Sequence, residues 1–240
     1  GSLPLFGGVL VGITLSFLFF GALFIIKEKK KAIRPLCVFL FLGSGIFILL
    51  NAYYVFPLFS FAMKSYGSLL AGSGGVEGIS DWIDVISKNA SMINLFRLQG
   101  IPDWYDNEVH VYANIFLNNP LLIFISFLFP ILAFFSLFLP LSRRQKIYII
   151  FFSLLALLSM IFMAGSHSPL GNLYMVLVER IPGFAAFRTP FYKFAYPLWL
   201  SYGFLIGTTL VYITRLMGKK TKIFLQTMCI LSVLLYNYPF

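Results

Sequence analysis

Residues 121–164 read LLIFISFLFPILAFFSLFLPL SRRQK IYIIFFSLLALLSMIFMA, two apolar runs on either side of a short basic loop. Neither run, Leu121–Leu141 or Ile147–Ala164, contains Asp, Glu, Lys or Arg. About 20 apolar residues in a helix cross the hydrocarbon core of a bilayer. Connections as short as this one join neighbouring antiparallel helices. The stretch therefore predicts a transmembrane helical hairpin.

The same hydropathy extends through the whole chain of 240 residues, of which 60% are hydrophobic and 11% charged. This composition excludes an ordinary soluble domain. Four further segments are candidate spans: Leu5–Ile26, Leu36–Ala62, Ala195–Met217 and Ile223–Tyr238. We predict an all-α polytopic membrane protein with about six transmembrane helices, in which residues 1–240 form a single transmembrane domain.

Basic residues cluster in the short loops between the predicted spans. Residues 27–34, 143–146 and 215–222 contain 12 of the 18 Lys and Arg residues, whereas seven of the eight acids fall in two longer loops, about 63–119 and 165–194. The positive-inside rule places the basic loops in the cytoplasm and the longer loops outside. The net charge of +10 thus reflects topology, and we expect membrane lipids as partners and no nucleic acid.

The first outer loop begins with a Gly- and Ser-rich stretch, Tyr66–Ser80, which favours a flexible loop because glycine loses the most backbone entropy on ordering. Ser80 then fits the N-cap of a short helix. Trp82, Val85 and Ile86 would lie on one face of that helix, a pattern typical of a helix in the membrane interface.

The ends of the sequence predict that the chain is part of a longer protein. Gly1 falls outside the membrane in this topology, yet the residues before Leu5 do not resemble a signal peptide. The last predicted span stops short at Phe240.

Four chemically active side chains follow closely in the first outer loop: Asp103, Asp106, Glu108 and His110. They provide a candidate general base, or oxygen ligands for a divalent cation. Their spacing matches no specific metal motif, and acids in an outer loop are also expected for solvation alone. We predict Asp103, Asp106 and Glu108 as candidate catalytic residues, assign no cofactor or metal, and leave a divalent cation open.

Three cations stand among apolar residues near predicted span ends. Arg188 and Lys193 lie five residues apart in AFRTPFYKF, and Arg97 lies in NLFRLQG. A charge in this setting costs free energy unless an anion balances it, and a guanidinium fits phosphate oxygens. We predict a lipid-phosphate site at Arg188 and Lys193, with Arg97 as a second candidate. The alternatives are an ion pair with Glu179 or with an acid of the other outer loop, and snorkelling toward the headgroups.

Weaker candidates include an imidazole and several aromatic rings. His167, in SHSPLG, either orients a hydroxyl or phosphate or caps the turn of Ser168 and Pro169. Exposed rings stack on sugar faces, and Trp and Tyr also favour the headgroup level of a membrane. The candidate rings are Trp82, Trp104, Tyr105 and Tyr174.

Two outer segments, SMINLFRLQG (Ser91–Gly100) and GSHSPLGNLYMVLVERIPGFAAFRTPFYKF (Gly165–Phe194), carry a family resemblance. Together with the topology they resemble the GT-C superfamily of membrane glycosyltransferases, especially the arabinofuranosyltransferase-like proteins of bacteria and archaea. In that family a small residue followed by SPLG, LY, PG, F and FR-P-KF precedes a transmembrane helix.

The resemblance implies an enzyme that takes a sugar from a polyprenyl-phosphate donor and transfers it to a glycan or lipid acceptor on the outer face. It implies that Arg188 and Lys193 bind the donor phosphate and that Arg97 assists. Such enzymes commonly carry their catalytic acid in the outer loop after the first span, and no such loop precedes Leu5. The base is then an acid between Glu77 and Glu108, or lies outside this chain.

Two other functions stay open on the residues alone. A lipid-linked-sugar flippase or other transporter needs charged residues or broken helices at the bilayer midplane. Such sites are scarce, because nearly every ionisable residue falls in a loop or at the end of a predicted span. The third interpretation is a non-catalytic scaffold subunit whose outer loop binds a partner.

Overall fold

The computed structural model describes residues 3–28, 30–50, 52–53, 56, 75–105, 111–181 and 184–236. Within these ranges the chain is helical and contains no β-strand, which confirms the all-α prediction. The chain groups into two compact units, Ile13–Asp81 and the combination of Gly1–Gly12 with Trp82–Phe240. The assignment of one transmembrane domain to the whole chain stays a prediction.

The α-helices in the described ranges are α1 (Leu3–Glu28), α2 (Lys30–Leu50), α3 (Gly75–Ser87), α4 (Met92–Phe96), α5 (Val111–Asn118), α6 (Pro120–Phe135), α7 (Arg143–Met163), α8 (Gly171–Arg180), α9 (Pro190–Arg215) and α10 (Lys219–Tyr236). Short 3-10 helices cover Pro102–Tyr105, Ser136–Phe138 and Phe184–Phe187.

Three described helices are long and apolar enough to cross a membrane: α6 with its 3-10 extension (Pro120–Phe138), α7 and α9. They coincide with the third, fourth and fifth predicted spans and indicate a membrane protein. The side of the membrane on which the basic loops lie stays a prediction.

The other three predicted spans are not shown by the structure. Within α1 and α2, the stretches Thr14–Ile26 and Cys37–Leu50 are apolar, and most of residues 51–62 lies outside the described ranges. In α10, three lysines occupy the first four residues, which leaves residues 223–236 as its apolar part.

The two helices of the predicted hairpin, α6 and α7, both begin at capped residues, and each packs mainly on α9 rather than on the other. The side chain of Asn119 accepts hydrogen bonds from the amides of Leu121 and Leu122, and Pro120 occupies the first helical position of α6. The start of α7 has a capping box in which Ser142 and Gln145 each satisfy the other's backbone amide. The turn at residues 139–142 therefore separates two well-defined helices.

Helices α7 and α9 pack antiparallel, and ring stacking fixes their register. Phe152 stacks on Phe204 with ring centroids 4.1 Å apart, and Phe162 stacks on Phe194 at 5.0 Å. The residue numbers in both pairs add to the same total, as expected for two straight antiparallel helices. The end of α7 and the start of α9 consequently lie together, at the two ends of the segment 164–189.

Helix α6 joins this pair through a buried hydrogen bond. The Thr209 hydroxyl of α9 donates to the backbone carbonyl of Leu132 on α6 at 2.9 Å. The short helix α4 packs here too, since the Tyr202 hydroxyl donates to the carbonyl of Phe96 at 3.0 Å and the Phe96 ring stacks on Phe134 at 5.6 Å. Part of the first outer loop is thus packed against the spanning helices.

Two helix boundaries differ from the sequence prediction. Helix α3 begins at Gly75, so residues 75–80 are helical and do not belong to a flexible loop; residues 66–74 lie outside the description. Helix α9 begins at Pro190, five residues before the predicted start at Ala195, because proline suits the first turn of a helix.

The exposed face of α3 also differs from the prediction. Trp82 and Val85 are exposed, but Ile86 is half-buried and Ile83 is fully buried. Exposure of a Trp and a Val beside charged Asp81 and Asp84 still fits the predicted interfacial position, which nothing in the structure tests.

Candidate functional site

The two cations of the AFRTPFYKF segment lie at the start of α9. Arg188 is exposed and precedes the helix by two residues, and Lys193 is half-buried in the first helical turn. The two side chains are close enough for their positive charges to repel each other. A helix N-terminus also carries partial positive charge. The structure therefore concentrates positive potential at one end of a spanning helix.

Glu179, the acid expected as an alternative partner for Arg188, is exposed. Among the side chains that the structure describes, no ion pair joins Glu179 to Arg188. Among the described side chains, the Glu179 alternative for Arg188 therefore has no support.

Aromatic packing fixes the backbone beside Arg188. The Phe187 ring stacks on Phe194, with centroids 5.4 Å apart, and contacts the ring of Phe184 at 5.3 Å. The Tyr174 hydroxyl donates a 2.6 Å hydrogen bond to the Phe187 carbonyl. Contacts from α8 and α9 therefore hold the residue that immediately precedes Arg188.

Tyr174 is a structural donor and does not fit the predicted role of a sugar platform. Its side chain is 3% exposed and packs against Phe162 and Phe184. Burial raises the pKa of the Tyr174 phenol well above its ordinary value, so the hydroxyl stays protonated and keeps its bond to Phe187.

His167 takes part in a local turn. Its Nδ1 lies 2.8 Å from the carbonyl oxygen of Ser168, the next residue, and its backbone amide donates to the Ala164 carbonyl. The Ser168–Pro169 peptide bond is cis. These contacts support the turn-capping alternative for His167 rather than a role in orienting a substrate.

The glycines of GSHSPLG have steric roles. Gly165 has a φ of +57°, and a Cβ atom there would lie 2.2 Å from the Ser87 Oγ and 2.7 Å from the Pro190 Cγ. At Gly171, a Cβ atom would lie 1.8 Å from the Ser166 carbonyl oxygen. The motif therefore allows the chain to turn tightly between α7 and α8 while touching the first residue of α9.

Arg97 belongs to a second cluster, between α4 and α6. Its Nε donates a 2.8 Å hydrogen bond to the Ser126 Oγ, and its guanidinium carbon lies 4.7 Å from the centre of the Phe127 ring. Neither partner carries a negative charge. In a regular helix the N–H of residue 130 would donate to the carbonyl of Ser126. Pro130 has no N–H, so this carbonyl lacks its usual helical hydrogen bond.

Three more polar side chains surround Arg97. Its positive charge acts on the hydroxyls of Tyr105 and Tyr236. Tyr105 donates a 3.1 Å hydrogen bond to the Gln99 carbonyl, and the Gln99 side-chain nitrogen lies 3.5 Å from the Tyr236 hydroxyl. Burial raises the pKa of Tyr105 despite the opposing effect of Arg97.

An aromatic group encloses this cluster. Trp104 is 6% exposed and stacks on Phe116 at 5.0 Å, and Phe116 in turn contacts Tyr236 at 5.2 Å. The expectation that Trp104 offers an exposed ring at headgroup level is therefore wrong. Hydrophobic burial of a large aromatic ring outweighs any preference for the interface here.

Little of the predicted acidic cluster is described. The backbone of Asp103 lies in the 3-10 helix Pro102–Tyr105, but its side chain, together with Asp106, Glu108 and His110, lies outside the described residues. Among the described residues, no group of three or more His, Cys, Asp or Glu side chains is placed to hold a metal ion. The catalytic roles of Asp103, Asp106 and Glu108 stay predictions.

Sequence reasoning found Arg188, Lys193 and Arg97 but missed the polar partners of Arg97. Ser126 carried a usable signal, a hydroxyl four residues before a proline within an apolar run. Gln99 and Tyr236 are 137 residues apart, and no local pattern relates them.

No protein-family model, curated protein or solved structure matches this chain. The resemblance to GT-C glycosyltransferases therefore rests on the quoted sequence motifs.

Proposed function

We propose that this chain is part of a membrane glycosyltransferase that takes a sugar from a polyprenyl-phosphate donor. The observation that carries the proposal is the pairing of Arg188 and Lys193 at the start of the spanning helix α9. A lipid phosphate lies at the level where a spanning helix ends. Its negative charge would relieve the repulsion between the two cations and meet the partial positive charge of the helix end.

The chemistry that this arrangement supports is displacement at the anomeric carbon of the sugar. A carboxylate removes the proton from an acceptor hydroxyl, whose oxygen forms a bond to that carbon. The bond from the carbon to the phosphate oxygen breaks, and the phosphate leaves with the electron pair. Arg188 and Lys193 would stabilise the negative charge that develops on the leaving phosphate.

Asp103, Asp106 and Glu108 are the candidate bases because they are the acids that follow the segment Ser91–Gly100, part of which packs on α6 and α9. A glycan or lipid on the outer face would provide the acceptor hydroxyl. A phosphate leaving group needs little acid assistance, so one base and two cations are sufficient for the reaction.

Binding tests the phosphate site separately from catalysis. We expect the purified protein in neutral nanodiscs to bind a short-chain polyprenyl-phosphate sugar, and Arg188→Gln or Lys193→Gln to weaken binding by about tenfold or more, since each loses a charge-assisted hydrogen bond. Arg180→Gln is the matched control because Arg180 is an exposed cation in the same outer segment. Equal binding by the parent and both variants contradicts the proposal.

Turnover then tests the base. Asp103→Asn, Asp106→Asn and Glu108→Gln should leave donor binding within about twofold, because none removes a cation that meets the phosphate, and one of them should abolish sugar transfer. Normal transfer by all three variants would place the base elsewhere in the protein.

A lipid-linked-sugar flippase is the second candidate, and one observation favours it. Arg97 bonds to Ser126, which lies about 9 Å along α6 from Pro120 at 1.5 Å per residue, close to Pro130, which removes one backbone hydrogen bond within the helix. The two functions differ in outcome: a flippase moves the intact lipid-linked sugar across a vesicle membrane without releasing polyprenyl phosphate.

A further inference from the structure

The Arg97 cluster contains a cation whose described contacts do not neutralise it. Its Nε is bonded to the Ser126 hydroxyl and its guanidinium faces Phe127. No hydrogen bond from its two terminal nitrogens is found among the described residues. A charged group beside a membrane-spanning helix is costly unless it is paired, so these four N–H groups are suited to an anion.

Gln99 provides an independent observation. Its side chain is 0% exposed, and its Oε1 has no hydrogen-bond partner within the described chain. Oxygen and nitrogen of an amide are assigned from their contacts, but exchanging them leaves the other end of the same amide without a partner. A buried polar atom without a hydrogen bond is destabilising, so its retention points to a group that binds there.

The Tyr236 hydroxyl completes a convergent set of groups. It meets the Gln99 amide at 3.5 Å and lies within the electrostatic reach of Arg97. Arg97 offers N–H donors, Tyr236 offers a hydroxyl, and Gln99 offers its Oε1 as a hydrogen-bond acceptor. Arg97 and Gln99 follow α4, and Tyr236 ends α10. Arg97 bonds to Ser126 of α6, and the Tyr236 ring contacts Phe129 of the same helix at 5.5 Å.

We propose that Arg97, Gln99 and Tyr236 form a second anion site, which binds a phosphate with a hydroxyl group next to it. The phosphate accepts hydrogen bonds from the Arg97 guanidinium and the Tyr236 hydroxyl, and the neighbouring hydroxyl donates to the Gln99 Oε1. A hydroxylated lipid headgroup and a soluble sugar phosphate share this chemistry.

This site is separate from the pair at the start of α9. The charge of Arg188 interacts electrostatically with Lys193, whereas the charge of Arg97 interacts with Tyr105 and Tyr236. The inference does not depend on the proposed glycosyltransferase function, because it rests on the charge of Arg97, which its described contacts do not neutralise, and on the Gln99 Oε1, which has no hydrogen-bond partner within the described chain.

Trp104 provides a local reporter, since it stacks on Phe116, which contacts Tyr236. The other two tryptophans, Trp82 and Trp199, are 50% and 47% exposed, so Trp82→Phe and Trp199→Phe leave Trp104 as the only tryptophan, which is excited selectively over tyrosine at the red edge of absorption. The protein in phosphatidylcholine nanodiscs is titrated with glucose 1-phosphate, inorganic phosphate or glucose. A parallel sample contains phosphatidylglycerol, which supplies a hydroxylated lipid phosphate.

We expect a saturable change in Trp104 fluorescence and a rise in Tm with glucose 1-phosphate or with phosphatidylglycerol, and no change with glucose. A response to the soluble phosphate alone identifies a soluble ligand, and a response to the lipid alone identifies a headgroup. Inorganic phosphate should bind about tenfold or more weakly than the hydroxylated phosphate that responds, because it has no neighbouring hydroxyl.

Two variants separate binding from folding. Gln99→Met removes the unpartnered Oε1 together with a long 3.5 Å contact to Tyr236, so it should leave the Tm of the ligand-free protein nearly unchanged while weakening the response about tenfold. Arg97→Gln should abolish the response, whereas Arg180→Gln, a distant exposed cation, should not change it.

Three results overturn the proposal: no response of the parent protein to any probe, an unchanged response in Gln99→Met, or a response that Arg188→Gln abolishes and Arg97→Gln preserves. None of these results depends on binding of the polyprenyl-phosphate sugar, so failure of this site and failure of the proposed function are distinguishable.

Discussion

Arg97 and Ser126 lie 29 residues apart in the chain and are joined by a 2.8 Å hydrogen bond from the Arg97 Nε to the Ser126 Oγ. The Ser126 hydroxyl in turn donates to the carbonyl of Ile123, one turn earlier in α6. The bond attaches the short helix α4 to a spanning helix. It also orients the guanidinium by one nitrogen and leaves the other two for a ligand.

Ser126→Ala is expected to destabilise the protein by about 1.5–3 kcal/mol, because the hydrogen bond that it removes involves a charged donor. The measurement is the free energy of unfolding in detergent. Ser201→Ala is the control, since the buried Ser201 hydroxyl bonds only the carbonyl of Pro197 in its own helix. Equal losses of unfolding free energy in the two variants would show that the bond from Arg97 to Ser126 adds nothing to stability beyond a hydroxyl bonded within its own helix.

Thr209→Val should cost about 0.6 kcal/mol, and no more than about 2, which is the range for hydrogen bonds between membrane helices. The variant keeps the side-chain shape but removes the donor to Leu132 on α6. Thr208→Val provides a comparison, because Thr208 bonds Phe204 within α9. A Thr208 variant that is less stable than the Thr209 variant would contradict the described packing of α6 on α9.

Gly165→Ala should strongly reduce the yield of folded protein. The residue has a positive φ, which costs L-amino acids about 1–2 kcal/mol, and the added methyl group collides with Ser87 and Pro190. Gly203→Ala in α9 should instead be neutral or stabilising by up to about 1 kcal/mol, because a Cβ there meets nothing within 4 Å and alanine favours helices. Size-exclusion profiles and thermal melts compare the two; similar behaviour would be inconsistent with the tight turn after α7.

Alkaline pH should destabilise the protein through Tyr174. Its folded pKa is raised above the ordinary value of 10, so above pH 10 the unfolded chain releases a proton that the folded chain retains. The free energy of unfolding then falls with rising pH, by at most about 1.4 kcal/mol per pH unit for one group. Below pH 9 this contribution is constant.

Tyr174→Phe checks that expectation. The variant should be less stable at pH 8, where it lacks the bond to Phe187, but its stability should decline less steeply between pH 9 and 11. The comparison of slopes cancels the pH-independent loss of the hydrogen bond. Identical slopes for the parent and the variant would show that Tyr174 ionises alike in the folded and unfolded chains.

The sequence predicted the three spanning helices well because hydropathy directly reflects transfer from water to an apolar phase. Helix α6 begins one residue before the predicted span, but α7 begins at Arg143, four residues before the predicted Ile147, because the capping box at Ser142 starts the helix within the basic loop. The start of α9 was placed too late because Arg188 to Lys193 raise the polarity of a segment whose helix is already set by Pro190.

The candidate site was predictable in its charged members and not in its architecture. Arg188 and Lys193 are neighbours in sequence, so their proximity follows from local structure. The Arg97 cluster depends on α4 packing against α6 and on Tyr236 arriving from α10. Burial of Trp104 and Tyr174 likewise comes from tertiary packing, which sequence periodicity alone does not determine.

The register between α7 and α9 identifies facing positions at which the two helices can be cross-linked in intact membranes. Because Phe152 faces Phe204 and Phe162 faces Phe194, a cysteine introduced at one position has a known opposite position on the other helix. Oxidative cross-linking of a cysteine pair at positions 162 and 194 would join the two helix ends that border the segment 164–189. The cross-link would restrain the segment that contains Arg188 relative to the spanning helices. Binding of a lipid phosphate before and after cross-linking would then show whether the segment has to move to admit the lipid.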